Sequence, residues 1–285
     1  MTYLEAIILG IVQGVFMFVP VSSTAHLVLT QHWLIAQGSA LPPPESPAMI
    51  LFDLVVHVGT MVSVVVVFRQ SLLYLVRSTL AQAWTLARGH PVIGPSLWLV
   101  LMGALTVFVT GVLGLIFKRS IEIAFAAPEI IVVTLTITGI LLWLTDRLGP
   151  RTVGLKGIGP RIALIVGAAQ ALALVPGISR SGITIIAGLF AGLKRRWAAE
   201  FSFLVAIPTI LAATALQSLE VMNAGGLDGV GPGPLLVGFL VSAVVGIYAL
   251  KLVLALLYRA RLKVFSFYIW TFAALIAFGV LDVAK

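Results

Sequence analysis

The chain has 285 residues, 60% of them hydrophobic and only 10% charged, with a mean hydropathy of +1.15. Soluble domains carry about 25% charged residues, so a soluble globular domain is excluded. Apolar runs of about 20 residues exclude barrel strands and predict an all-α polytopic membrane protein. With no cysteine, disulfides, thiol chemistry and cysteine metal sites are excluded. The formal charge of +8 sits mostly in short connections between apolar runs. There it anchors helix ends near anionic lipid, and nucleic acid is not expected as a partner.

The first apolar segment runs from Tyr3 to about Trp33 and is interrupted at Pro20. It lacks a basic leader, so a membrane segment is expected rather than a cleaved signal peptide. Neither half spans a bilayer: a helix of about 16 residues rises about 24 Å, against an apolar core of about 30 Å. Broken segments of this kind are often re-entrant. A proline-rich loop follows from Gly38 to Pro47. Met49 to Phe68 is a span that ends at Arg69, with Asp53 and His57 on one face. Ser71 to Arg88 is only partly apolar and reads as an interfacial helix or the tail of that span. Trp98 to Phe117 and Ile130 to Leu144 are spans that stop at Lys118-Arg119 and Asp146-Arg147. A basic, glycine-rich connection covers Gly149 to Arg161. Ile162 to Leu193 is a second broken segment, ending at Lys194-Arg195-Arg196. Phe201 to Leu219 is a span interrupted by Pro208. A glycine- and proline-rich turn from Asn223 to Pro234 precedes the spans Leu235–Tyr258 and Phe265–Val280. About six full spans and two broken helix pairs are expected.

The two breaks resemble each other. Gln13 and the stretch Val19-Pro20-Val21-Ser22-Ser23 match Gln170 and Val175-Pro176-Gly177-Ile178-Ser179. A single integral membrane domain built of two repeats, about 1–148 and 160–285, is therefore expected. Paired interruptions point to a site where the halves meet, near the bilayer midplane.

The second break places Ser179, Arg180, Ser181 and Thr184 with Gly177 and Gly182 inside apolar sequence. An arginine there must be satisfied by protein or by a ligand, and its planar fork of donors matches phosphate. The glycines let backbone N–H groups approach an anion, and a helix start is an anion site. The plain alternative is a helix kinked at Pro176, with Arg180 reaching for headgroups. The first break adds Gln13, Ser22, Ser23, Thr24 and His26. Together these side chains can hold a phosphate. They can also transfer one, with a serine as nucleophile, His26 as base or acid and Arg180 neutralising the phosphoryl charge. Ser23 and His26 are three residues apart, close together on a helix.

Through these motifs the chain resembles the undecaprenyl-diphosphate phosphatase, or bacitracin-resistance, family of bacterial inner membranes. The resemblance rests on Leu9-Gly10-Ile11-Val12-Gln13-Gly14, Pro20 to His26, Pro176 to Thr184 and Ala199-Glu200-Phe201-Ser202-Phe203. It implies an inverted-repeat fold and removal of the terminal phosphate from the C55 isoprenoid diphosphate. It implies Ser23 as nucleophile, His26 as the motif's histidine, and Arg180, Ser179, Ser181 and Thr184 as diphosphate ligands, with a site facing the periplasm. A polyprenyl diphosphate lipid is the implied partner, and a homodimer is a further expectation. The family's first motif reads Glu or Gln, three residues, then Glu. Here Gln13 fits and Met17 replaces the glutamate. The divalent cation, Mg²⁺ or Ca²⁺, that the resemblance implies thus lacks its usual carboxylate. Gln13 is a weak candidate ligand, Asp53 and Glu200 are the nearest substitutes, and His57 is a further partner. Two alternatives stay open: a member that binds or flips a polyprenyl phosphate without cleaving it, and an enzyme for another lipid phosphate. An acid aimed at Ser23 and Arg180 would favour the phosphatase. An acid-free pocket would favour binding or transport.

Overall fold

The computed structural model describes residues 1–89, 93–117, 128–175, 177–223 and 230–279. Among them are eleven α-helices and no strand. In chain order these are α1 (Tyr3–Phe16), α2 (Ser23–Ala36), α3 (Pro47–Val67), α4 (Arg69–Ala87), α5 (Pro95–Ile116) and α6 (Pro128–Asp146), followed by α7 (Pro160–Leu172), α8 (Arg180–Phe190), α9 (Arg195–Asn223), α10 (Pro232–Tyr258) and α11 (Lys263–Ala277). Proline opens α3, α5, α7 and α10, where its missing N–H costs nothing. Thr2 and Glu5 form a reciprocal cap on α1, and the Ser46 and Ser179 hydroxyls cap α3 and α8.

Four helices, α3, α5, α9 and α10, are long and apolar enough to cross a membrane. The chain is thus an all-α, multi-pass membrane protein. Helices α6 and α11 are apolar but shorter. The first broken segment is the pair α1/α2 and the second is α7/α8. Pro176, Lys118-Arg119, residues 224–229 of the 223–234 turn and Val280 lie outside the described residues.

One sequence expectation changes, and one left open between two readings is resolved. Helix α9 runs unbroken through Pro208. A proline removes one N–H donor, and a long membrane helix buttressed by neighbours tolerates that loss. Helix α4 is a separate helix rather than a tail of α3, and none of its residues is buried. It leans on α5 through Ser78 to Ser96 (2.7 Å) and through Gln82, which accepts the Leu97 N–H at 2.9 Å.

Lipid is as apolar as leucine, so the helices associate through close backbone approach and hydroxyl bonds. The short α1 packs on α10 and the short α7 on α5, and α3 packs on α10 as well. Each broken pair thus leans on a span distant in sequence. Small residues line the seams. An added Cβ at Gly14 would meet the Ser242 carbonyl oxygen at 3.0 Å, and one at Gly167 the Thr106 carbonyl oxygen at 2.8 Å. Thr106 and Thr110 donate to the carbonyls of Ala163 and Gly167 (3.2 and 3.1 Å). Ser63 donates to Ala243 (2.7 Å), and Ser242 donates to Val56 (3.0 Å).

The α3–α10 seam yields a prediction. A Cβ at Gly59 would lie 2.5 Å from the Phe239 carbonyl oxygen, a backbone atom that cannot swing away. Gly59→Ala should cost about 1–3 kcal/mol by overpacking. It should appear as a lowered melting temperature of the purified protein in detergent.

Candidate active site

The two breaks touch. Ser181 Oγ donates to the Phe18 carbonyl at 3.4 Å. A Cβ on Gly182 would lie 3.0 Å from Pro20 Cβ. Phe18 is itself locked by an edge-on contact with Phe203 of α9, with ring centroids 5.8 Å apart. Between the breaks lies a cavity of about 130 Å³. It is smaller than the roughly 300–1,000 Å³ of drug-sized sites, so it takes a small group rather than a lipid tail. The first break contributes Phe16, Met17, Ser22, Ser23 and Thr24, and the second contributes Ala173, Ile178, Ser179, Arg180 and Ser181. His57 of α3 and Ile210 of α9 complete the lining.

The second helix of each broken pair begins at this cavity. Ser23 and Thr24 open α2, and Arg180 and Ser181 open α8. The first N–H groups of each helix have no intrahelical partner, and two positive dipole ends therefore face one small space. The hydroxyls of Ser179 and Ser181 lie 3.3 Å apart, and Ser179 also caps the Gly182 N–H. The Arg180 guanidinium makes no hydrogen bond or ion pair among the described residues, and its Nη1 is buried without a partner. Its charge is left for a ligand.

Backbone strain marks the first break. Ser22, the residue before α2, sits at φ 69°, left-handed for a non-glycine residue. Its side chain makes no cap bond, which leaves the hydroxyl facing the cavity. Gly177 holds the second break at φ +85°.

His26 does not line the cavity. Its ring is sandwiched between Phe16 and Phe272, with centroids 4.0 and 4.3 Å away. Nδ1 donates to the Ser22 carbonyl (2.8 Å), and Nε2 accepts from Tyr268 O–H (2.8 Å). Thr184 is buried outside the cavity, where its hydroxyl bonds Ser202 and the Arg180 carbonyl. Gln13 is buried as well. Its Nε2 donates to Met17 Sδ (3.5 Å) and its Oε1 has no partner. Ser23 Oγ makes only a long contact with the same sulfur, at 3.9 Å.

The acids are elsewhere. Asp53 accepts from Gln31 of α2 at 2.9 Å, and Glu200 pairs with Arg196 at 2.7 Å at the start of α9. Glu200 lines a separate, larger cleft of about 640 Å³ between α4, α5 and α9. The cavity therefore carries no carboxylate among its lining residues. His57 is its imidazole. The sequence offered His57 through its pairing with Asp53 on one helix face and as a further partner at the missing glutamate, and nothing in it singled out Tyr268.

Alanine at Gly177 would have to adopt a left-handed backbone, at about 1–2 kcal/mol, and its Cβ would meet the Ile131 carbonyl oxygen at 2.9 Å. Gly177→Ala should lower thermal stability in detergent by at least that cost. It should also weaken binding of inorganic phosphate, measured by calorimetry.

Comparison with known proteins gives the family. The family model described as bacitracin resistance protein BacA matches residues 6–275. The undecaprenyl-diphosphatase of Alkalilimnicola ehrlichii is 58% identical over 281 residues, covering 98% of this chain and 97% of the relative. That of Halorhodospira halophila is 56% identical over 279 residues, covering 97% of each. That of Chromohalobacter salexigens is 39% identical over 270 residues, covering 94% of this chain and 95% of the relative. The chain belongs to the bacitracin-resistance (BacA) family.

Proposed function

We propose that this protein removes the terminal phosphate of undecaprenyl diphosphate, giving undecaprenyl phosphate, the carrier lipid of cell-wall synthesis. The observation that carries this reading is the unpartnered Arg180 guanidinium. It faces the Ser22, Ser23, Ser179 and Ser181 hydroxyls in a phosphate-sized cavity, within a chain so similar to undecaprenyl-diphosphatases. Under it, the diphosphate head enters the cavity while the isoprenoid tail stays in lipid.

Arg180 and the two helix starts neutralise charge on the terminal phosphoryl group, strongest in the transition state. Ser179, Ser181, Ser22 and Thr24 donate to its oxygens. Ser23 Oγ, held at the start of α2 by the strained Ser22, attacks phosphorus as the bridging P–O bond breaks. Undecaprenyl phosphate leaves, and water then releases inorganic phosphate from Ser23. Thr184 supports this set by bonding the Arg180 carbonyl. The same reading makes the chain a multi-pass protein of the bacterial inner membrane, with the cavity on the periplasmic side, alone or as a homodimer. It also makes residues 1–148 and 160–285 inverted repeats. The exchange of partners, α1 on α10 and α7 on α5, supports that.

The residues present do not fit a protein-held divalent cation. Hard cations need several oxygen ligands, usually carboxylates. Among the described residues no three His, Cys, Asp or Glu side chains stand close enough to share a metal. At the first break the chain offers a thioether, Met17, and one free amide oxygen, Gln13 Oε1. A divalent cation that assists the reaction would have to arrive on the diphosphate itself.

The acid-free cavity also favours a second reading, a family member that holds or flips a polyprenyl phosphate without cleaving it. Phosphate release from undecaprenyl diphosphate by the purified protein, with and without Mg²⁺ or Ca²⁺, separates the two. Release is expected, and its absence from folded, lipid-binding protein would support the second reading. Ser23→Ala should abolish turnover, and Arg180→Ala should lower kcat by about 10³-fold, as expected for a charge clamp on a transferring phosphoryl group. Met17→Glu sets a carboxylate between Gln13 and Ser23. It should raise turnover in the presence of divalent cation and make the rate depend on that cation.

A further inference from the structure

The structure holds two membrane histidines that look alike locally and differ in what faces them. In each, Nδ1 lies against the carbonyl of the residue four earlier: His26 against Ser22 at 2.8 Å, His57 against Asp53 at 2.7 Å. A carbonyl only accepts, so in both rings Nδ1 carries the hydrogen and Nε2 carries the lone pair. The Nε2 lone pair of His26 is already taken by Tyr268 O–H, and its ring is clamped between Phe16 and Phe272. His57 Nε2 has no hydrogen-bond partner among the described residues, and His57 lines the same cavity as Ser23 and Arg180.

We infer that His57, rather than His26, is the proton-transfer residue of this cavity. The inference rests on the phosphatase reading and names its base. As Ser23 Oγ forms its bond to the terminal phosphorus, the Ser23 proton passes to His57 Nε2 and the bridging P–O bond breaks. The departing undecaprenyl phosphate oxygen takes that proton and leaves His57 neutral. In the second half, water bonds to phosphorus, the Oγ–P bond breaks, and His57 takes a proton from the water and returns one to Ser23 Oγ. The net change is one water consumed, one lipid phosphate and one inorganic phosphate formed. The backbone bond to Asp53 fixes the tautomer and the ring plane, as a carboxylate does in a hydrolase triad. His26 acts instead as a strut. It ties the strained Ser22 carbonyl to α11 through Tyr268 and so aims Ser23.

The test compares His57→Asn and His57→Ala with the unmodified protein on undecaprenyl diphosphate in detergent. Asparagine keeps an N–H donor near the Asp53 carbonyl and has no basic nitrogen, so it separates chemistry from folding. Both variants should lower kcat by about 10²–10⁴-fold with KM little changed, the usual contribution of a general base. Added imidazole should restore part of the rate to His57→Ala and none to Ser23→Ala. Full kcat in His57→Asn, or no imidazole rescue of a folded His57→Ala, would overturn the assignment while the phosphatase reading stands. No release by the unmodified protein would overturn that reading, and this assignment with it.

Discussion

A guanidinium held inside an apolar helical protein, without a carboxylate to face it, is the constraint on which this structure depends. Lipid cannot satisfy Arg180, and no described side chain bonds its guanidinium. What faces it is a set of neutral hydroxyls and the starts of α2 and α8. Those groups donate, and none of them cancels the positive charge. The site is thus complementary to an anion that brings its own negative charge, and incomplete without one.

Irregular backbone at membrane depth survives only where protein covers it. That explains the seams around the two breaks. Glycines at 10, 14 and 167 let α1 and α7 lie almost against the backbones of α10 and α5, and the Thr106 and Thr110 hydroxyls bond carbonyls across the α5–α7 gap. The breaks then brace each other through Ser181 with Phe18 and Gly182 with Pro20. Rigid seams matter because a phosphoryl clamp works only if its donors are in place beforehand. The left-handed Ser22 and Gly177 are where the chain bends to reach that arrangement.

The absence of a carboxylate from the cavity moves the chemical burden onto neutral groups. Met17 sits between Gln13 and Ser23, and its sulfur is only a weak acceptor for both. Asp53 is one turn from His57 yet spends its carboxylate on Gln31, and Glu200 is committed to Arg196 at another cleft. The proton acceptor that remains beside Ser23 and Arg180 is an imidazole.

Much of this was legible in the chain itself. Long apolar runs with few charges determine a helical membrane protein, because backbone groups must be satisfied within each segment. Proline and glycine among serines mark the two breaks, and an arginine among hydroxyls marks the anion site. These are local signals, carried by composition and by spacing along one helix. Tertiary structure alone decided which of those side chains meet. His26 and His57 make the same backbone bond, and only packing against α11 or against the second break separates a strut from a base. Thr184 looked like a ligand but turns to Ser202, and Pro208 looked like an interruption but is carried through by its neighbours. Which way a helix is rotated in a bilayer is set by the shapes of distant partners. One chain's periodicity therefore names the candidates, and the fold chooses among them.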